Sequence, residues 1–148
     1  MTMLAELGFS EARNNLTEVV DRAQRFEIPV IRPRKKSEEY CAVVRADLIK
    51  ALLDKDMAME FATEVFREES GSVTISVLPF EIVANGQNLE AAVHEAVEEV
   101  IDYAREYIDP VNFPLYHRSP NRRPHLALVV KVLLCHSLDQ VKELIGLA

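Results

Sequence analysis

The sequence predicts an α+β fold: a small mixed sheet with helices in the order β-α-β-β-α, then a mainly helical module with one or two strands. Three observations carry that expectation. Apolar residues recur with a helical period at Leu16, Val19, Val20 and Ala23, and again over about five turns between residues 88 and 108. Short runs rich in β-branched residues occupy 28–31, 40–44 and 73–83. Between the two patterned regions, DKDMAMEFATEVFREESGS passes from a helical pattern into a Ser-Gly-Ser loop. The expected organisation is therefore a first module over 1–56, a linking helix and loop over 57–72, and a second module over 73–148.

In the first module, residues 3–9 read as a short strand ending at Gly8-Phe9. Ser10 is placed to cap a helix, and Glu11 falls in the first turn, where the helix dipole favours an anion. Leu16, Val19, Val20 and Ala23 form its apolar stripe, with Arg13, Asn14, Thr17 and Glu18 off it. Strands over 28–31 and 40–44 are joined by RPRKKSEE, a polar connection suited to a hairpin. Pro33 requires that the strand end there or lie at an edge. A helix follows over 47–53, its apolar side made by Leu48, Ile49, Leu52 and Leu53.

The segment 54–69 places Met57, Met59, Phe61, Val65 and Phe66 among acids and reads as an amphipathic helix. In the second module, Val73, Ile75 and Val77 alternate with polar residues, and Pro79 bulges or breaks that strand. Asn85-Gly86 is a turn signal. Asn88 can cap the long helix carrying Leu89, Val93, Ala96, Val97, Val100, Ala104 and Ile108. Its other face holds Glu90, Glu95, Glu98, Glu99, Asp102 and Glu106. Pro124 suits the first turn of another helix, and Ser137 with Gln140 forms a capping box for a last short one.

Composition excludes several classes. With about half of its 148 residues apolar, four Gly and seven Pro, the chain is neither disordered nor collagen-like. No apolar run approaches the roughly 18–20 residues of a membrane span, and MTMLAELGFSEAR has no signal-peptide pattern, so a cytoplasmic protein with no membrane partner is expected. Cys41 and Cys135 lack zinc-ligand spacing, and no cofactor is implied. His94, His117, His125 and His136 make no metalloprotease motif, no nucleotide loop or nucleophile elbow is present, and no catalytic residue is assigned. The net charge of -7 at first argues against nucleic acid. It is unevenly placed, however. Residues 1–58 hold ten Lys/Arg and ten Asp/Glu of the chain's 17 and 24, so the whole -7 lies beyond them.

The string LGFSEARNNLTEVVDRAQRFEIPVIRPRKK, followed by YCAVVRADLIKALL, resembles the Phd/YefM family of type II antitoxins. The match runs over about residues 3–55. It comprises Ser10-Glu11-Ala12-Arg13-Asn14-Asn15-Leu16, Pro29-Val30-Ile31, the basic stretch 32–36, and Ala42-Val43-Val44. The sequence departs from the family pattern in lacking the usual hairpin Gly after the basic pair and in adding an acidic module after Gly71. The resemblance implies a homodimer through the N-terminal sheets that binds operator DNA. It also implies a C-terminal segment that wraps and blocks a co-expressed toxin of RelE or Doc type, and a complex that represses its own promoter.

On that footing the DNA-binding candidates are Ser10, Arg13, Asn14, Asn15, Arg32, Arg34, Lys35 and Lys36. Arginine pairs bidentately with guanine and asparagine with adenine, while the basic cluster suits phosphates. Arg13 in a surface ion pair, with two merely polar asparagines, is the other reading. Likewise the basic cluster either tracks a phosphate backbone or keeps a sheet edge from aggregating. Toxin-binding candidates are Met57, Met59, Phe61, Val65 and Phe66, a helix face able to enter a groove. The same residues could instead pack on the protein's own core. The competing functional class is a stand-alone transcriptional regulator whose second module senses a ligand or oligomerises. An adjacent reading frame for a small basic protein discriminates the two.

Overall fold

The computed structural model describes residues 6–55 and 59–147. Backbone packing divides the chain into two compact units, Met1–Lys55 and Asp56–Ala148. The α+β class is observed: two three-stranded sheets and seven α-helices among the described residues.

In the first unit, β1 (Glu6–Leu7) pairs parallel with β2 (Val30–Ile31), which pairs antiparallel with β3 (Cys41–Ala42). The expected first helix is two, α1 (Phe9–Asn14) and α2 (Leu16–Gln24). Asn15 separates them. It leaves helical geometry at φ -124°, ψ 42°, and its side-chain amide donates to the Glu11 carbonyl at 3.0 Å. Asparagine favours such local side-chain bonds over continuing a helix. The cap also differs from expectation. The first intrahelical bond runs from Ala12 N–H to Gly8 C=O at 2.9 Å, so Gly8 is the N-cap and Ser10 lies inside the first turn.

The core of this unit is small. Ala12, Val19, Ala23 and Pro29 are buried. The predicted stripe of α2 is only half covered, with Leu16 62% and Val20 44% exposed. The helix α3 (Ala46–Lys55) has no buried residue among those whose side chains are described, and Leu52 is 62% exposed.

In the second unit, β4 (Ala62–Arg67), β5 (Val73–Leu78) and β6 (Ile82–Gly86) form an antiparallel meander in that order. The segment expected as a linking helix is thus a strand over 62–67. The pairing with β5, not the spacing of the side chains, accounts for the strand. A strand whose inward side chains are buried presents backbone donors and acceptors on both edges. Here β6 satisfies one edge of β5 and β4 the other, in the register Ala62↔Leu78 to Arg67↔Val73.

Val73, Ile75 and Val77 of β5 and Ile82 and Ala84 of β6 point inward and are buried. The long helix α4 (Leu89–Ile108) lies across that face, presenting Ala92, Ala96, Val97, Val100, Ala104 and Tyr107, all buried. Each fully buried Val or Ile contributes roughly 1.5–3 kcal/mol. The Asn85-Gly86 pair is not the hairpin turn. The chain reverses earlier, through Pro79, Phe80 and Glu81, and Gly86 instead admits α4, since a Cβ there would overlap the Ala92 amide nitrogen. Both expected helix caps form. The Asn88 side chain accepts from Ala91 N–H at 2.8 Å and Ser137 Oγ from Gln140 N–H at 3.2 Å.

The 110–125 stretch carries a short helix, α5 (Phe113–Arg118), then a 3₁₀ turn at Arg123–His125. The helices α6 (Leu126–Leu133) and α7 (Leu138–Leu144) close the core through Leu128, Val129, Val132, Val141 and Ile145. No described helix is long and apolar enough to cross a membrane.

Candidate functional site

In the first unit the connection between β2 and β3 folds against the start of α1. Arg32 N–H donates to the Leu7 carbonyl at 2.9 Å, and the Arg34 guanidinium stands 4.7 Å above the Phe9 ring centroid. A cation over an aromatic face is held by the ring quadrupole. Phe9 is the first residue of α1, and Arg13 follows it by one turn on the same face. The fold thus seats Arg34 of the basic loop on Phe9, one helical turn before Arg13, although the two arginines are some twenty residues apart in sequence.

The charges in this cluster are not equivalent. Arg34 donates through Nε at 3.2 Å and a terminal nitrogen at 2.6 Å to the two oxygens of Glu38, and its backbone N–H donates to the same carboxylate at 2.9 Å. The bond from Arg34 holds the Glu38 carboxyl below its ordinary range and raises the guanidinium in turn. Arg32 has a looser contact with Glu6, at 3.9 Å. Arg13, Lys35 and Lys36 are exposed and have no acidic partner among the described residues.

Ser10 and Asn14 are exposed on α1, while Asn15 uses its amide to end that helix. Arg13 and Asn14 consequently sit in the last turn of α1, immediately before Asn15, the N-cap of α2.

The second candidate segment divides in two. Met57 lies outside the described residues. Met59 and Phe61 pack against the core of the second unit, with the Phe61 ring edge-on to Phe80 at 5.0 Å. Val65 and Phe66 lie on β4 and remain 40% and 50% exposed. Sequence reasoning missed Thr63, whose hydroxyl donates to the Ile145 carbonyl at 2.6 Å and ties β4 to the end of α7. Only the strand assignment places that hydroxyl on the inward face.

The basic loop before α6 is absorbed by the fold. Arg123 donates to the carbonyls of His117 and Arg118, and Arg122 covers the Tyr116 ring at 4.0 Å. Beside them Tyr103 Oη and His125 Nδ1 lie 2.7 Å apart. Burial pushes the Tyr103 hydroxyl up to about 12, and burial followed by the Arg122 charge lowers His125.

Comparison with known proteins agrees with this architecture. The chain resembles, with a TM-score of 0.64 and 24% identity, the crystal structure of a protein from Syntrophomonas wolfei subsp. wolfei assigned as the antitoxin part of a toxin/antitoxin system. The alignment covers 95% of this chain and 96% of that one, a likeness of fold across both units. No curated protein matches. The family model described as antitoxin of toxin-antitoxin, RelE / RelB, TA system matches residues 3–147. Spanning almost the entire sequence, that match shows that the chain belongs to this family of antitoxins.

Proposed function

We propose that this antitoxin acts in the manner of the Phd/YefM family, as a homodimer that binds operator DNA through its first unit and neutralises a co-expressed RelE-like or Doc-like toxin through its second. The observation that supports DNA binding is that Arg13, Lys35 and Lys36 are exposed without acidic partners among the described residues, the lysines on a loop that Arg34 anchors to Phe9 in the turn before Arg13. Unpaired cations neutralise phosphates and release counterions, which drives association with DNA. Arg13, Asn14 and Ser10 supply groups able to contact base edges or phosphate oxygens. Arg32 and Arg34 shape the loop that presents the lysines.

Burial supports the dimer reading. A unit whose buried apolar set among the described residues is Ala12, Val19, Ala23 and Pro29 is underfilled for its length. Leu16, Val20 and Leu52 offer the surface that a second copy covers, and two copies double the basic patch. The toxin-facing surface includes the exposed part of the 57–66 candidates, Val65 and Phe66, and the acidic charge of the second unit favours a basic partner. A regulator of this kind performs no chemistry of its own.

The deciding experiment co-expresses the chain with the product of its adjacent reading frame. Growth rescue, co-purification and a gel shift of the upstream DNA are expected. Failure of the adjacent product to bind removes the toxin-neutralising part, and failure of the gel shift removes the operator part.

A further inference from the structure

We infer that the free edge of β4 is the surface on which the partner toxin adds a strand, and that this strand carries basic residues on either side of an apolar one. The inference rests on the antitoxin reading above and specifies how the toxin is held.

The direction of the backbone groups follows from the turn joining β4 to β5. Glu68 N–H donates to the Ser72 carbonyl at 2.9 Å, and the Glu68 carbonyl accepts from Gly71 N–H at 3.0 Å. Both backbone groups of Glu68 therefore point toward β5. Successive residues of a strand in an antiparallel ladder point their backbone groups to alternate sides. Phe66, Glu64 and Ala62 thus bond to β5, whereas Thr63, Val65 and Arg67 direct N–H and C=O away from it. No described residue pairs with those outward groups. Three consecutive outward residues form a ready template for an added strand.

Charge selects the occupant. Glu60, Glu64, Glu68 and Glu69 are all exposed along this edge, have no ion-pair partner among the described residues, and are opposed locally by Arg67 alone. A second copy fits badly. Antiparallel self-pairing that keeps both inner faces on one side allows registers centred on Glu64, Val65 or Phe66. The first sets Glu64 directly against Glu64, the last sets Glu64 against Glu68, and the middle one leaves the two Glu64 side chains diagonal neighbours. Like charges placed opposite are destabilising. A basic strand meets no such penalty in any of them. Opposite Glu64, Phe66 and Glu68, which share the outer face, it would present a basic, an apolar and a basic residue at alternate positions.

The test uses the full chain with and without the co-purified product of its adjacent reading frame, followed by residue-resolved hydrogen exchange. Expected is new protection of the Thr63, Val65 and Arg67 amides in the complex, with Glu64 and Phe66 already protected in the free protein. Val65→Pro removes one outward N–H without removing a bond to β5, so it should weaken the complex by about tenfold. The paired change Glu64→Lys with Glu68→Lys should weaken it further at low salt than at high salt. It leaves the backbone intact, so it keeps the test informative if the proline variant misfolds. A complex that forms while those three amides and both variants behave as the free and native proteins do overturns strand addition but leaves the antitoxin reading standing. Protection of the same amides that appears without the partner and grows with chain concentration points to a second copy and also overturns it. Failure to form any complex overturns both.

Discussion

Arg34 and Glu38 face each other across a four-residue step of the β2–β3 connection, joined by two guanidinium–carboxylate bonds at 3.2 and 2.6 Å and a backbone bond at 2.9 Å. The pair removes Arg34 from the free positive charge and fixes the loop that displays Lys35 and Lys36. Charge density in the sequence and charge available to a ligand are therefore different quantities here.

DNA affinity should register that difference. Lys35→Ala and Lys36→Ala should each reduce the slope of log affinity against log salt by about one, as the loss of a phosphate contact does. Arg34→Ala should leave the slope nearer to native and act through loop geometry. Titrations of the upstream DNA at several salt concentrations measure all three. An equal slope change for Arg34 and the lysines would show that the ion pair opens on binding.

Arg13→Ala should weaken operator binding by about 1–3 kcal/mol if the side chain reads a base, and should relax specificity at one position. Binding measured against a set of single-base operator variants separates that role from a phosphate contact, which weakens all sequences alike.

Gly86→Ala should destabilise the second unit by about 1–3 kcal/mol or more, because β6 and α4 approach backbone to backbone at Ala92 and a methyl group there has no space. Thermal unfolding followed by circular dichroism checks it. A melting temperature equal to that of the native chain would contradict the close approach.

Stability should also fall in acid through His125. Its folded value is lowered from 6.5, so the unfolded chain takes up the proton first. The contribution of the neutral ring is complete above about 6.5 and declines as pH drops toward the lower, folded value. Denaturant midpoints of the native chain and His125→Phe across pH 5 to 8 should converge at the acid end if this is right. Parallel curves would remove His125 from the pH response.

Loss of the Asn88 cap by Asn88→Ala should cost about 1 kcal/mol, since the side chain satisfies Ala91 N–H at the start of the twenty-residue helix α4. Asn88→Ser should restore most of it. Chemical denaturation of the three proteins decides the point.

Local chemistry was sufficient for several of these features. The periodic stripe of residues 88–108, the caps at Asn88 and Ser137, the alternation Val73, Ile75, Val77 and the polar hairpin after β2 each depend on neighbours a few residues away, and the sequence by itself determined them. The family resemblance likewise rested on a local order of motifs over 3–55. What only the tertiary structure decided is where distant groups compete for the same partner. Residues 62–67 carry the helical spacing Ala62, Val65, Phe66, and β5, with a second edge to fill, pairs them as a strand instead. Leu16 and Val20 belong to the predicted stripe of α2, but no described residue of the unit covers them enough to bury them. Among the described residues Glu38 engages Arg34 and no acid engages Lys35 or Lys36. Hydrogen-bond demand at a strand edge, coverage of an apolar face and the pairing of charges are settled by three-dimensional neighbours, and no reading of adjacent residues can supply those.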